Sequence, residues 1–118
     1  GDWSSDVCSS DLEDQMTIVQ NVDPKTAADW IEAGDAILID VREAGEHAAE
    51  RIANAELIPL SAFRIDAVPQ DKRVVVHCAG GKRAAQAVGF LQISGHKDVH
   101  NMVGGIMGWK KAGLATVA

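Results

Sequence analysis

Residues 74–95 change hydrophobic period midway, and this change constrains the fold more than any other feature of the chain. Val74, Val75 and Val76 are consecutive and β-branched, the pattern of a strand buried on both faces of a parallel sheet. From Arg83 onward the apolar residues are Ala84, Ala87, Val88 and Leu91. Their i, i+3, i+4, i+7 spacing is one face of a helix. Gly95 supplies the helix stop. Between strand and helix stand Cys78, a tight turn with Gly80 and Gly81, and then Lys82 and Arg83.

That placement gives Cys78 a chemical meaning. A helix N-terminus presents unpaired N–H groups and roughly half a positive charge. Glycines let successive loop amides curl into an anion-binding nest. Lys82 and Arg83 add two formal charges. Such a setting favours a thiolate, the form of cysteine that acts as nucleophile. The alternative is a small buried core cysteine, which Gly-Gly-Lys-Arg seldom follows.

The 118 residues are enough for one domain with one core. No apolar run approaches the ~20 residues that span a bilayer, and the chain does not open on a signal-peptide pattern. The net charge is −6 and no basic stripe appears, which argues against nucleic acid as a partner. Residues 2–12 resemble the conceptual translation of a sequencing-library adapter. Residues 1–12 are therefore set apart as a non-native or disordered leader, and 13–118 are read as the domain. The leader holds Asp2, Asp6 and Asp11 and no base, so the remainder carries −3. It also holds Cys8, which leaves Cys78 alone in the domain. One cysteine makes no internal disulfide, so a reducing, cytoplasmic setting is expected.

Along the chain, Thr17–Gln20 reads as a first strand. Asp23-Pro24 reads as a helix start, with Ala27, Trp30 and Ile31 on the apolar face and Gly34 as the stop. Ala36–Val41 is a second strand, ending in Asp40-Val41-Arg42-Glu43. Charged residues at that end lie where α/β sheets usually place their sites. Arg42 and Glu46, four apart, are expected to pair on the following helical turn. A short third strand falls within Ile52–Leu60, and Ser61 is expected to cap a short helix with Phe63 and Ile65. Val99–Val103 is the fifth strand, and Trp109 is expected to pack the last helix on the sheet. His47, His77, His96 and His100 are scattered, and no metal site is expected. His77 precedes Cys78 in an extended strand, so its side chain should face away from the thiol. Alternating strands and helices imply a parallel sheet with helices on both faces.

Three motifs carry a resemblance to the rhodanese family of sulfurtransferases over about residues 17–115. Cys78-Ala79-Gly80-Gly81-Lys82-Arg83 is similar to the family's Cys-x-x-Gly-x-Arg loop. Asp40-Val41-Arg42 is similar to its Asp-x-Arg strand end. Gly104, Gly105, Trp109 and Gly113 are similar to its Gly-Gly-x3-Trp-x3-Gly ending. One motif departs. Where relatives commonly read Gly-His-Ile-Pro-Gly-Ala, this chain has Glu50-Arg51-Ile52-Ala53-Asn54-Ala55.

The resemblance implies a three-layer α/β fold with five parallel strands ordered 3-2-4-5-1. It implies a sulfurtransferase of the thiosulfate:cyanide type, using Cys78 as nucleophile and no organic cofactor. A small anionic sulfur donor and a thiol or cyanide acceptor would be its partners. Ala79, Gly80, Gly81, Lys82 and Arg83 would bind the donor and the persulfide, and Asp40, Arg42 and Glu46 would support the loop. Two other readings stand beside it. A persulfide carrier or partner-binding module would share the domain. Cysteine phosphatases and one class of arsenate reductase use Cys-x5-Arg, one residue longer than the spacing from Cys78 to Arg83.

Overall fold

The computed structural model describes residues 20–118. Its elements are β1 (Gln20–Val22), α1 (Pro24–Glu32), β2 (Ala36–Asp40), α2 (Ala44–Ala49), β3 (Glu56–Leu57), β4 (Arg73–His77), α3 (Lys82–Ile93), β5 (Val99–Met102) and α4 (Gly105–Lys111). The sheet has five strands in the order β1-β5-β4-β2-β3, and every pairing is parallel. Read from the other edge, this is the order that the family resemblance implies. Of the expected first strand only Gln20 lies within the described residues, and the strand seen begins there.

Period 2 along the strands sorts side chains to two cores. Ile39, Val41, Val74 and Val76 join Ala84, Ala87, Val88 and Leu91 of α3. Leu38 and Val75 join Ala27 of α1 and Ile106 and Trp109 of α4. All four apolar positions of the helical repeat after Cys78 are buried. Asp23 caps α1 through Thr26 N–H at 3.3 Å, with Pro24 in the first turn.

One local expectation changes, and two further features appear. Ser61 lies inside a single 3-10 turn, Leu60–Ala62, and caps nothing. Its hydroxyl donates instead to the Glu43 carboxylate at 2.9 Å. Asn54 takes a left-handed φ of 71° in the turn before β3, a conformation that asparagine tolerates better than most residues. It thereby does the turning that the missing family glycine would do. The last residues also fold back on the domain. Arg51 and Val117 exchange backbone bonds of 2.8 and 2.7 Å, and Trp109 Nε1 donates to the Ala115 carbonyl at 2.8 Å.

Candidate active site

Cys78 follows β4 at the carboxyl edge of the sheet, beneath the start of α3. Its side chain is 1% exposed and joins the α3-side core. Gly81 has φ 111°, a backbone that glycine adopts without strain. This turn brings the Gly81 N–H to 2.9 Å from Cys78 Sγ. Lys82 and Arg83 belong to the first turn of α3 and not to the loop proper.

The loop is held from behind by α4. Ile106 N–H donates to the Cys78 carbonyl at 2.8 Å, and Met107 N–H to the Ala79 carbonyl at 3.3 Å. Gly105 makes this approach possible. A Cβ there would lie 2.2 Å from the Cys78 oxygen and 2.7 Å from the Ala79 oxygen. The two motifs that carry the resemblance, the cysteine loop and Gly104-Gly105, are thus halves of one construction.

Arg42 does not pair along a helix with Glu46. Arg42 precedes α2, so its guanidinium turns back onto Asp40. Nη2 lies 2.8 Å from Oδ2 and Nε lies 3.0 Å from Oδ1. Arg42 Nη2 also donates to the Glu50 carbonyl at 2.6 Å. His47 Nδ1 adds a 2.8 Å contact to Asp40 Oδ2. Burial pushes the Asp40 carboxyl up, but the Arg42 bonds, the His77 charge and the His47 bond outweigh it, and the net shift is downward.

Glu46 pairs with Arg83 instead. Nη1 and Nη2 lie 2.8 and 3.0 Å from its two oxygens, and the Glu43 N–H donates to Oε1 at 2.9 Å. The Arg83 bond first, then the Glu43 amide, draw the Glu46 carboxyl down to about 2. Glu46 thereby ties α2 to the start of α3.

His77 is fully buried on the face of β4 opposite Cys78, beside Asp40. Its Nδ1 lies 3.3 Å from the Cys78 carbonyl oxygen, and its Nε2 lies 3.9 Å from Asp40 Oδ2. Burial pushes the imidazole pKa down, against the pull of Asp40. Contact with the Cys78 backbone and not with the thiol agrees with the strand alternation. Sequence reasoning missed the His47–Asp40 and Ser61–Glu43 contacts, because each joins residues of different elements, where no single period applies. Among the described residues no three His, Cys, Asp or Glu side chains gather in a metal-binding arrangement.

A profile of the rhodanese-like domain matches residues 23–112. This chain belongs to the rhodanese-like family. It is 37% identical over 86 residues to a sulfurtransferase of Allochromatium vinosum, covering 71% of this chain and 80% of that one. It is 30% identical over 95 residues to the thiosulfate sulfurtransferase GlpE of Actinobacillus succinogenes, covering 79% and 86%. A rhodanese-related protein from Thermoplasma volcanium superposes with a TM-score of 0.75 at 31% identity, over 83% of this chain and 97% of that one. In other relatives the match occupies part of a longer protein, 54% and 24% of their lengths. The family is one of sulfurtransferases, and this rhodanese-like domain has the family's parallel sheet. No helix among its described residues is long and apolar enough to cross a membrane.

Proposed function

We propose that this rhodanese-like chain moves sulfane sulfur from an anionic donor such as thiosulfate to a thiol or cyanide acceptor through a persulfide on Cys78. The observation that carries this reading is the Gly81 N–H at 2.9 Å from Cys78 Sγ, in a loop pinned by α4. That amide points at a sulfur whose charge must be stabilised before and after it accepts a second sulfur. The Cys78 thiolate attacks the outer sulfur of the donor. The donor S–S bond breaks, and sulfite leaves with the electron pair. The amides of Ala79, Gly80, Gly81, Lys82 and Arg83 stabilise the persulfide anion. An acceptor thiolate or cyanide then attacks the outer sulfur, and Cys78 leaves as thiolate. No external oxidant or reductant enters either step.

Asp40 and Arg42 support the loop's base, and Glu46 supports the helix that follows it. The single cysteine of residues 13–118 supports a reducing, cytoplasmic setting. A phosphatase reading is weaker on two counts. The loop is one residue short, and Arg83 is occupied by Glu46.

Intact mass after incubation with thiosulfate tests the proposal, with Cys78→Ser as control. One added sulfur on the parent alone, removed by cyanide, is expected. Loading from a small persulfide but not from thiosulfate would make the protein a carrier. Loading from neither would overturn the reading.

A further inference from the structure

The mouth of the site is electrically balanced, although its sequence reads as basic. Lys82 and Arg83 are the two cations of the cradle's helix start. Arg83 is bound by both nitrogens to both oxygens of Glu46. A guanidinium held in a bidentate carboxylate pair has spent its fork geometry on that partner and offers a second anion little. Glu43 is a second carboxylate at the same place. Its backbone N–H binds Glu46, and the Ser61 hydroxyl fixes its side chain. The charges of Glu46, Cys78 and Glu43 all act on Arg83 to hold it protonated, so the four groups share one electrostatic neighbourhood. In formal charge Lys82 and Arg83 are matched by Glu43 and Glu46 before the thiolate is counted. What remains for a donor is the set of backbone amides, while each carboxylate repels a doubly charged donor twice as strongly as a singly charged one.

Resting on the sulfurtransferase reading above, we propose that the Glu43–Glu46 pair makes this site selective for singly charged sulfane donors, of the persulfide or thiosulfonate class, over dianionic donors such as thiosulfate. The chemistry is the same for both classes. The Cys78 thiolate takes the outer sulfur, and the S–S bond electrons leave with a thiolate or sulfinate instead of with sulfite.

Two donors of nearly equal shape isolate the charge. Methanethiosulfonate carries one negative charge and thiosulfate two. Initial rates of Cys78 loading, read by intact mass, give a ratio for each protein. Comparing that ratio between parent and variant cancels the donors' different intrinsic reactivity. Removing one carboxylate charge that acts through water should speed methanethiosulfonate about twofold and thiosulfate by the square of that factor, about fourfold. Glu46→Gln should therefore shift the ratio toward thiosulfate, and added salt should narrow the gap between parent and variant. Glu43→Gln is the second variant. Glu43 is exposed, and glutamine still accepts from Ser61, so folding is preserved if Glu46→Gln fails to fold. A ratio unchanged in the folded variants would overturn the proposal. So would thiosulfate loading that falls in Glu46→Gln, which would mean that Glu46 aims Arg83 at a dianion. Loading of the parent by neither donor would be a different failure, sinking the sulfurtransferase reading on which this one rests.

Discussion

Asp40–Arg42 and Glu46–Arg83 are both bidentate arginine–carboxylate pairs at the carboxyl edge of the sheet, but they sit in different media. The first is buried, with side-chain exposures of 0% and 6%. The second is open to solvent, at 39% and 34%. The first joins residues two apart in sequence, and the second joins residues 37 apart. A buried pair has given up its hydration and depends on every remaining partner. An exposed pair contributes little to stability and is screened by salt. The buried pair therefore acts as framework, and the exposed pair can be adjusted for function without unfolding the protein.

The largest test of this contrast is Asp40→Ala. It strands the Arg42 guanidinium and leaves His47 and His77 beside it without their carboxylate. The expected loss is about 3–5 kcal/mol in a denaturant titration. A loss below about 1 kcal/mol would break the comparison.

Next is Gly105→Ala, which probes the backbone support of the Cys78 loop in place of its charges. The added Cβ meets two carbonyl oxygens, and φ is 59°. At least about 1 kcal/mol should be lost, together with a shortened persulfide lifetime by intact mass. Unchanged lifetime would mean that α4 does not shape the cradle.

Acid should separate the two regions. Burial lowers the His77 pKa from its ordinary 6.5, so the unfolded chain binds that proton more readily than the folded one. Its contribution is whole above about pH 6.5 and is lost as pH falls below that value, by at most about 1.4 kcal/mol per pH unit. Glu46 is shifted from 4.5 to about 2. Its contribution is whole above pH 4.5 and disappears between there and about pH 2. The Asp40 contribution also declines, below its ordinary 3.8. Stability followed from pH 7 downward should begin to fall near 6.5, and Glu46→Gln should remove the part of the pH dependence between 4.5 and about 2 while leaving the slope above 4.5 unchanged. A changed slope of stability against pH near pH 6 in that variant would contradict the assignment.

The smallest expected effect is that of Glu46→Gln at neutral pH, below about 1 kcal/mol. A larger loss by thermal melt would show that the exposed pair is framework too.

Much of this fold was legible because apolar periodicity is a local property. Val74–Val76 read as a doubly buried strand, and Ala84, Ala87, Val88 and Leu91 as one helix face. All seven are buried. Asp23-Pro24 marked a helix start through side-chain and ring chemistry that acts within one turn. The cysteine loop was legible for the same reason, since a strand-to-helix turn with glycines positions its own amides. The partner of Arg42 was misread. Pairing it with Glu46 by i, i+4 spacing assumed that both stand on a helix, whereas α2 begins at Ala44.

Sequence alone determined most of the strands and helices and where the nucleophile candidate stands. Tertiary structure decided which carboxylate each arginine holds. Strand order sets β2 beside β4, and this neighbour relation brings Glu46 to Arg83 and Asp40 to His77. Charged side chains at strand ends have no period to betray their partners. Their pairing is decided by proximity in space and by how much water remains around each pair, and both exist only once the sheet has formed.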